Sequence, residues 1–370
     1  MVINLLRLYE EFIEYHSECF TRDVRSWLGV SELDLSDEDV RIIYNTFYKH
    51  TFVEFYTFVR DIIYSDNPLD FIKDTNKEAW DLWCYISFLS SKDLINFRDG
   101  KFEVCDDLKN ILIPRYSEDE ILHRIKAKIE LNSLNEPTVK VLKRLAGIEF
   151  DYKPQFDQMP ISIESAICLI STIFKYYPFY DKFLFLGDDD FISILITLVE
   201  PKFKPIVADL DERILNIVKS INEDIEAFKR DFTKRRRINR EVLGFCTNPP
   251  YNELGIKTFL RYGLMHFGEL GGRVFLEFGD EAIGRKLLIL QRFITRNNLE
   301  ITDIIKGRIN YPFMLIHPEN NIIYRRLLKY FTEDMLKSNY MLGADIYVLT
   351  YIPWSIKPIR IKDAKIYSYI

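Results

Sequence analysis

Three consecutive aspartates are the residues of this 370-residue chain that are best suited to chemistry. They stand in the turn Gly187-Asp188-Asp189-Asp190, directly after the apolar run Lys182–Leu186. A nucleotide-binding fold usually has a glycine-rich turn at this place, whose N–H groups hold a phosphate or a carboxylate. Three carboxylates repel such anions and attract an ammonium or sulfonium group instead. Asp also caps helix N-termini well, and we assign that role to Asp190, before a helix that begins near Phe191.

A second acidic group ends the next apolar run, Pro205–Ala208. Its first member, Asp209, is placed to accept hydrogen bonds from ribose hydroxyls, as acids that end the second strand of nucleotide-binding folds do. Asp211 and Glu212 fit better a solvated charge cluster that opens the following helix. Asp231 would follow a third strand, where it either meets an adenine amino group or lies in an exposed loop.

The third group is Asn248-Pro249-Pro250-Tyr251, which follows the run Val242–Cys246. Two prolines lack N–H groups and have a fixed φ, so they form a rigid lip where the strand ends. The carbonyl groups and the Tyr251 ring beside this lip are suited to bind and stack on an amine nitrogen. The segment Asn310–Phe313 either lines an acceptor pocket at the same edge or forms a structural turn.

These groups need elements that bring them together. Helical patterns at Ile163–Tyr176 and Phe191–Val199 alternate with the apolar runs, and three further runs follow at Arg273–Phe278, Ile301–Ile305 and Ile346–Tyr351. Such alternation predicts an α/β, Rossmann-like, mostly parallel sheet that is covered on both faces and binds ligands at the carboxyl ends of its strands.

The N-terminal part has a helical rhythm. After the helical pattern Glu78–Leu89 come an apolar stretch, the turn Asp99-Gly100 and Lys101–Val104, which is the outline of a winged-helix unit. It lacks a basic recognition face, so packing or dimerisation is favoured over DNA binding. We predict a helical, winged-helix-like domain at 1–115, linker helices at 116–160 and a catalytic domain at 161–370.

Composition narrows the class of protein. With 48% hydrophobic and 29% charged residues, the chain is neither disordered nor fibrous. It has no apolar run of the ~20 residues that cross a bilayer and no secretory signal, and its scattered cysteines suit a reducing compartment, so we expect a cytoplasmic protein. Its richness in Ile, Tyr, Lys and Arg favours a hot habitat. The net charge of -6 favours cationic ligands over nucleic acid.

Two resemblances follow from these residues. The strand–turn pattern, Asp209 and the Asn248–Tyr251 lip resemble the class I methyltransferase fold, in particular amino-methyltransferases that use S-adenosylmethionine. The acidic turn, the upstream Phe156-Asp157-Gln158 and Glu164, and the helical N-terminal region are similar to the branched-chain polyamine synthases. This second resemblance covers nearly the whole chain.

The resemblance implies transfer of an aminopropyl group from decarboxylated S-adenosylmethionine, as co-substrate, to the internal nitrogen of a spermidine-like polyamine, with release of methylthioadenosine. It implies no permanently bound cofactor and no metal. The implied roles are catalysis for Asp188, Asp189, Asn248 and Tyr251, donor binding for Gly187, Asp190, Asp209, Asp231 and Pro249, and acceptor binding for Asp157, Gln158, Glu164 and Pro250. The family usually has Asp before Pro-Pro-Tyr, and Asn248 drops that negative charge.

One physical point supports the same interpretation. Decarboxylation leaves the donor with a bare ammonium, which an acidic turn prefers, while the carboxylate of ordinary S-adenosylmethionine is repelled. Two alternatives stay open. The lip and the basic run Lys234–Arg237 also suit a nucleic-acid amino-methyltransferase, although that run is short for a phosphate track, and the N-terminal region also suits a polyamine-binding regulator. A homodimer is possible.

Overall fold

The computed structural model describes residues 3–27, 36–65, 79–98, 101–130, 158–159, 161–234, 236–312 and 322–356. They form two compact units: one contains the segments up to Pro114 and from Ile352 onward, and the other runs from Arg115 to Tyr351. The predicted division at residue 160 stays a prediction, since 131–157 and Pro160 lie outside the described residues.

The first unit is mainly helical. Its described elements are α1 (Leu5–Trp27), α2 (Asp37–Ile43), a π-helical turn (Tyr44–Tyr48), α3 (Phe52–Tyr64), α4 (Ala79–Ser91), β1 (Ile95–Arg98), β2 (Lys101–Val104) and α5 (Asp106–Ile111). The Thr51 hydroxyl accepts from the Glu54 N–H, and the Glu54 carboxylate accepts from the Thr51 N–H. This capping box explains why α3 begins there. The core is aromatic: the rings of Phe58 and Tyr85 stack 4.0 Å apart. β1 and β2 pair antiparallel after α4, but the turn Asp99-Gly100 lies outside the described residues and the winged-helix assignment stays a prediction.

The second unit contains a seven-stranded sheet. Its described elements are α6 (Glu118–Glu130), α7 (Ile163–Tyr176), β3 (Phe183–Leu186), α8 (Ile192–Val199), β4 (Pro205–Asp209), α9 (Glu212–Ile221), β5 (Glu226–Lys229), β6 (Gly244–Thr247), α10 (Glu253–Leu264), β7 (Gly272–Phe278), α11 (Asp280–Ile283), a 3₁₀ turn (Gly284–Lys286), α12 (Leu287–Arg296), β8 (Leu299–Pro312), α13 (Ile322–Leu327), α14 (Glu333–Lys337) and β9 (Tyr340–Tyr351).

The strand order is β5-β4-β3-β6-β7-β9-β8, and β9 alone among these strands runs against the others. This order and direction are those of the class I methyltransferase fold, so the prediction of a Rossmann-like, mostly parallel sheet is confirmed. β3, β4, β6 and β7 are buried throughout, which explains their continuous apolar sequences. The strand order reverses between β3 and β6, and ligands bind in the crevice at such a switch point.

The last two strands are longer than their apolar runs predict. β8 and β9 pair over most of their length, with three register shifts, although much of the middle of β8 is exposed. The polar residues there interrupt the apolar pattern, and pairing with β9 supplies the hydrogen bonds that extend the strand. As a result, β8 reaches the edge of the sheet where β3 and β6 end, with Tyr311 near its terminus.

Across the described ranges, none of the helices combines the length and the apolar character needed to cross a membrane.

Candidate active site

The acidic turn leaves β3 through a left-handed residue. Gly187 has φ +71°, a conformation that favours glycine, and its N–H donates to the Ala208 carbonyl at 2.9 Å. The next residue, Asp188, accepts hydrogen bonds from both the N–H (3.2 Å) and the hydroxyl of Ser193, in the first turn of α8. The expected cap by Asp190 is therefore wrong. Phe191, also left-handed at φ 52°, is the N-cap, and it turns the free Ser193 N–H toward Asp188.

The other two aspartates of the turn face the lip. One Asp190 oxygen accepts from the Ile161 N–H at 3.0 Å, and the other accepts from the Asn248 amide at 3.4 Å. Asp189 is half-buried, and its negative charge contributes to the raised pKa values of Tyr251 and Glu277. The turn and the lip are therefore in direct contact.

Asp209 links the turn after β4 to the acidic turn after β3. Its carboxyl accepts from the Asp188 N–H at 3.1 Å and from the Asp211 N–H at 2.7 Å, and burial raises its pKa. The side chain is buried at the carboxyl end of β4, where donors from two backbone segments hold its orientation. A carboxylate so fixed has lone pairs left for further donors such as ribose hydroxyls.

Asp211 opens α9 and is buried, not solvated as expected. Burial acts to raise its pKa, but hydrogen bonds from Arg213 and from Gln158 (3.0 Å) outweigh burial, and the pKa falls to about 2. Gln158 thus lies beside the turn that follows β4. Asp157, its predicted companion, lies outside the described residues.

The lip is held from both sides. The Thr247 hydroxyl donates to the Leu186 carbonyl at 2.9 Å, which joins the ends of β6 and β3. Pro249 is buried and Pro250 half-buried, and α10 approaches them so closely that a Cβ on Gly255 would lie 2.6 Å from the Pro250 carbonyl oxygen. Pro250 is therefore packed tightly against the first turn of α10.

Tyr311 of β8 joins the lip through its hydroxyl. This hydroxyl lies 2.9 Å from the Asn248 amide nitrogen, 3.1 Å from the Asn248 amide oxygen and 2.6 Å from the Tyr251 hydroxyl. Of the two alternatives for Asn310–Phe313, the described part, up to Pro312, is the end of a strand and lines the site.

Glu277 is a site residue that sequence analysis missed. It lies in β7, is 2% exposed and receives one contact, from the Cys246 thiol at 3.7 Å, while its Oε2 has no hydrogen-bond partner among the described residues. Burial and then the charges of Asp190 and Asp189 raise its pKa well above the usual value. The signal was available: one acid stands within the apolar stretch 274–278, one residue before the end of the strand.

The acidic cluster contains carboxyls whose pKa values lie well above the ordinary range. Burial raises the pKa of Asp188 to about 7, partly offset by the hydrogen bonds from Ser193 and assisted by the charges of Asp209 and Asp190. Buried carboxyls with strongly raised pKa values are concentrated at functional sites. This cluster favours any ligand that brings positive charge into the crevice.

Two predicted site residues are not joined to the cluster. Glu164 is exposed in the first turn of α7. The Asp231 carboxylate accepts from the N–H and hydroxyl of Thr233 and pairs with Lys234 at 3.2 Å, and these bonds lower its pKa. In this arrangement Asp231 stabilises its own loop.

A cavity of about 760 Å³ opens beside the lip, between the loop after β5 and α10. Its lining includes Phe232, Pro250, Gly255, Phe259 and Tyr262. The Phe232 ring meets the Phe259 ring edge-on at 4.7 Å, and a Cβ on Gly187 would lie 3.6 Å from Phe259, so this aromatic wall touches the acidic turn. An aromatic cavity next to an anionic turn suits a ligand with a flat ring at one end and a cation at the other.

Comparison with known proteins identifies the family. Residues 148–348 match the family described as the branched-chain polyamine synthase A C-terminal domain. The chain belongs to the branched-chain polyamine synthase family. A segment of 169 residues is 30% identical to N(4)-bis(aminopropyl)spermidine synthase of Methanocaldococcus jannaschii, covering 43% of this chain and 48% of that protein. The match thus spans about half of that relative's length.

Two solved structures are among those similar to this chain. A Thermus thermophilus branched-chain polyamine synthase in complex with N4-aminopropylspermidine and 5'-methylthioadenosine is 16% identical, with a TM-score of 0.46 and coverage of 98% of this chain and 97% of that one. A Pyrococcus horikoshii protein described as a putative RNA methyltransferase is 13% identical, with a TM-score of 0.41 and coverage of 58% of this chain and 98% of that one.

Proposed function

We propose that this branched-chain polyamine synthase family member is an aminopropyltransferase. It moves the aminopropyl group of decarboxylated S-adenosylmethionine to a nitrogen of a spermidine-like polyamine and releases methylthioadenosine. The observation that carries the proposal is the acidic cluster at the switch point of the sheet, where the half-buried Asp189 and the buried Asp190 and Glu277 stand in place of groups that bind anions. The family relationship supports the same reaction.

In the proposed complex the donor lies along this edge of the sheet. Its adenine ring enters the aromatic cavity against Phe232 and Pro249-Pro250, and its ribose hydroxyls reach Asp209. Its ammonium then lies near Asp189 and Asp190, beyond the left-handed Gly187. Ordinary S-adenosylmethionine would place a carboxylate among these acids, and that repulsion selects the decarboxylated form.

The reaction is a direct displacement. The lone pair of the acceptor nitrogen forms a bond to the aminopropyl carbon next to the sulfonium, the C–S bond breaks, and its electron pair stays on sulfur as a neutral thioether. The nitrogen then loses its proton to a carboxylate. Asp188 suits this step because a pKa of about 7 permits proton uptake and release near neutral pH. The enzyme contributes alignment and exclusion of water rather than a covalent intermediate.

Glu277 has the clearest role toward the acceptor. Its Oε2 is without a partner among the described residues, so an ammonium that reaches it satisfies a buried oxygen and restores the charged form of the carboxyl. Asn248 and Tyr251 position the attacking nitrogen. The remaining assignments to Gln158, Asp157, Glu164 and Asp231, together with a cytoplasmic location, a homodimer and the absence of a nucleic-acid partner, stay predictions of the sequence.

The test compares the two donors on the same enzyme. With a panel of linear polyamines, we expect mass spectrometry to find aminopropylated products and methylthioadenosine from the decarboxylated donor, at a rate at least about 100-fold above any reaction of ordinary S-adenosylmethionine. Glu277→Gln should lower kcat/KM for the acceptor by about tenfold or more, because one buried charge partner is lost. Glu269→Gln, an exposed acid before β7, is the matched control. Methyl transfer from ordinary S-adenosylmethionine, or binding without turnover, would refute the proposal.

A further inference from the structure

Three uncharged polar groups lie together inside the anionic site. The Tyr311 hydroxyl is within hydrogen-bond distance of both Asn248 amide atoms and of the Tyr251 hydroxyl. The two tyrosine rings meet edge-on, with centroids 6.1 Å apart and planes at 82°. We refer to Asn248, Tyr251 and Tyr311 as the neutral trio.

The trio is assembled from two distant parts of the chain. Asn248 and Tyr251 follow β6, whereas Tyr311 reaches them from the end of β8 and is 3% exposed. Burial raises the pKa of both tyrosine hydroxyls well above the usual value, so they stay protonated. The three groups therefore offer hydrogen-bond donors and acceptors without net charge.

Carboxyls surround this neutral trio. Asp190 contacts the Asn248 amide at 3.4 Å, and the charges of Asp190 and Glu277 act on both tyrosines. A carboxylate stabilises the protonated form of any amine beside it, and a protonated amine has no lone pair with which to attack. A neutral amide and two hydroxyls bind a neutral amine without this penalty.

The geometry points to Tyr311 as a positioning residue: we propose that it holds the Asn248 amide and the Tyr251 hydroxyl as an uncharged docking point for the reacting nitrogen. The charged ends of the same acceptor bind to the carboxyls around it. An uncharged docking point with carboxyls around it selects polyamines whose internal amine is flanked by ammonium groups. Those neighbouring ammonium groups make the internal amine easier to deprotonate. The inference rests on the proposed function and adds how the acceptor nitrogen is chosen.

The test is a double-mutant cycle on Tyr311→Phe and Asn248→Ala. We expect each single variant to lower kcat/KM for the acceptor by about tenfold, with the donor KM unchanged, and the double variant to lose little more than the worse single one. Tyr116→Phe is the control, because it also removes a buried hydroxyl bond, to Glu200 at 2.8 Å, away from the lip. Additive losses, or equal losses in Tyr116→Phe, would overturn the inference.

A binding measurement separates this inference from the proposed function. Calorimetry with a linear triamine alone requires no donor and no turnover, and we expect Tyr311→Phe to weaken its affinity by about fivefold or more relative to Tyr116→Phe. Absence of methylthioadenosine with the wild-type enzyme would defeat the proposed function. Equal triamine affinities of Tyr311→Phe and Tyr116→Phe would defeat the inference, whatever the turnover shows.

Discussion

Asp188 shows how a single residue serves both the fold and the chemistry. Its oxygens accept from the Ser193 N–H and hydroxyl, and so it organises the start of α8. The same burial that allows these contacts raises its pKa to about 7. A carboxyl whose pKa is raised in this way lowers the stability of the folded protein when it ionises. Such a loss of stability is typical of functional sites.

We predict that Asp188→Asn stabilises the protein at alkaline pH while it lowers turnover. The folded pKa, about 7, exceeds the ordinary value of 3.8, so between these pH values the folded state binds more protons and stability falls as pH rises. A three-unit difference corresponds to at most about 4 kcal/mol above pH 7. Asparagine can still accept from Ser193 without that loss.

Thermal unfolding measured from pH 4 to pH 8 checks this prediction. The variant should have a higher Tm than wild type at pH 8, and the difference should shrink toward pH 4, where the folded carboxyl is protonated and the unfolded carboxyl is close to its ordinary pKa of 3.8. Asp224→Asn, at an exposed position after α9, should leave the profile unchanged. A difference that does not depend on pH would contradict the explanation by burial.

At the scale of elements, the contact between α10 and the lip sets the shape of the site. Gly255 lies in the first turn of α10, and an added Cβ would meet the Pro250 carbonyl oxygen at 2.6 Å and the Pro250 side chain at 2.9 Å. Alanine is normally the better helix former. At this position, the backbone contact opposes that preference.

We therefore predict that Gly255→Ala destabilises the protein by about 1–3 kcal/mol and raises the KM for the donor, because Pro250 must move away from the helix. Gly343→Ala is the matched control, since its Cβ would find no atom closer than 3.8 Å. Urea unfolding and donor kinetics of the two variants provide the comparison. A more stable Gly255→Ala protein with normal kinetics would show that the lip is not clamped by α10.

At the scale of the whole molecule, the net charge bears on how the proposed substrates reach the site. The chain has a net charge of -6, and five of its buried acids lie at the carboxyl ends of the strands: Asp188, Asp190, Asp209, Asp211 and Glu277. A linear triamine and the decarboxylated donor are both cations, so both are attracted from a distance. Long-range attraction of this kind is screened by salt, because the Debye length falls from about 10 Å at 0.1 M to about 3 Å at 1 M.

We predict that the acceptor KM rises by at least about fivefold between 50 and 500 mM salt. Product inhibition by methylthioadenosine, an uncharged molecule, should change little over the same range. Steady-state kinetics at several salt concentrations test both statements. Parallel changes for the triamine and for methylthioadenosine would indicate a general effect of salt on the protein.

The sequence by itself determined the features that depend on neighbouring residues. Alternating apolar runs and helical patterns are local, so they predicted the parallel sheet and the edge at which its turns meet. The acidic turn, Asp209 and the proline lip were recognisable for the same reason, since each ends or directly follows a buried strand.

Tertiary structure alone decided which of these groups touch and which distant residues join them. Tyr311 meets Tyr251 across 60 positions of chain, and Glu277 became a site residue only because β7 packs beside β6. The N-cap of α8 is Phe191 instead of Asp190, and the left-handed turn there directs the Ser193 N–H to Asp188. Hydrogen bonds and burial depend on distances in space, and local sequence patterns do not specify those distances.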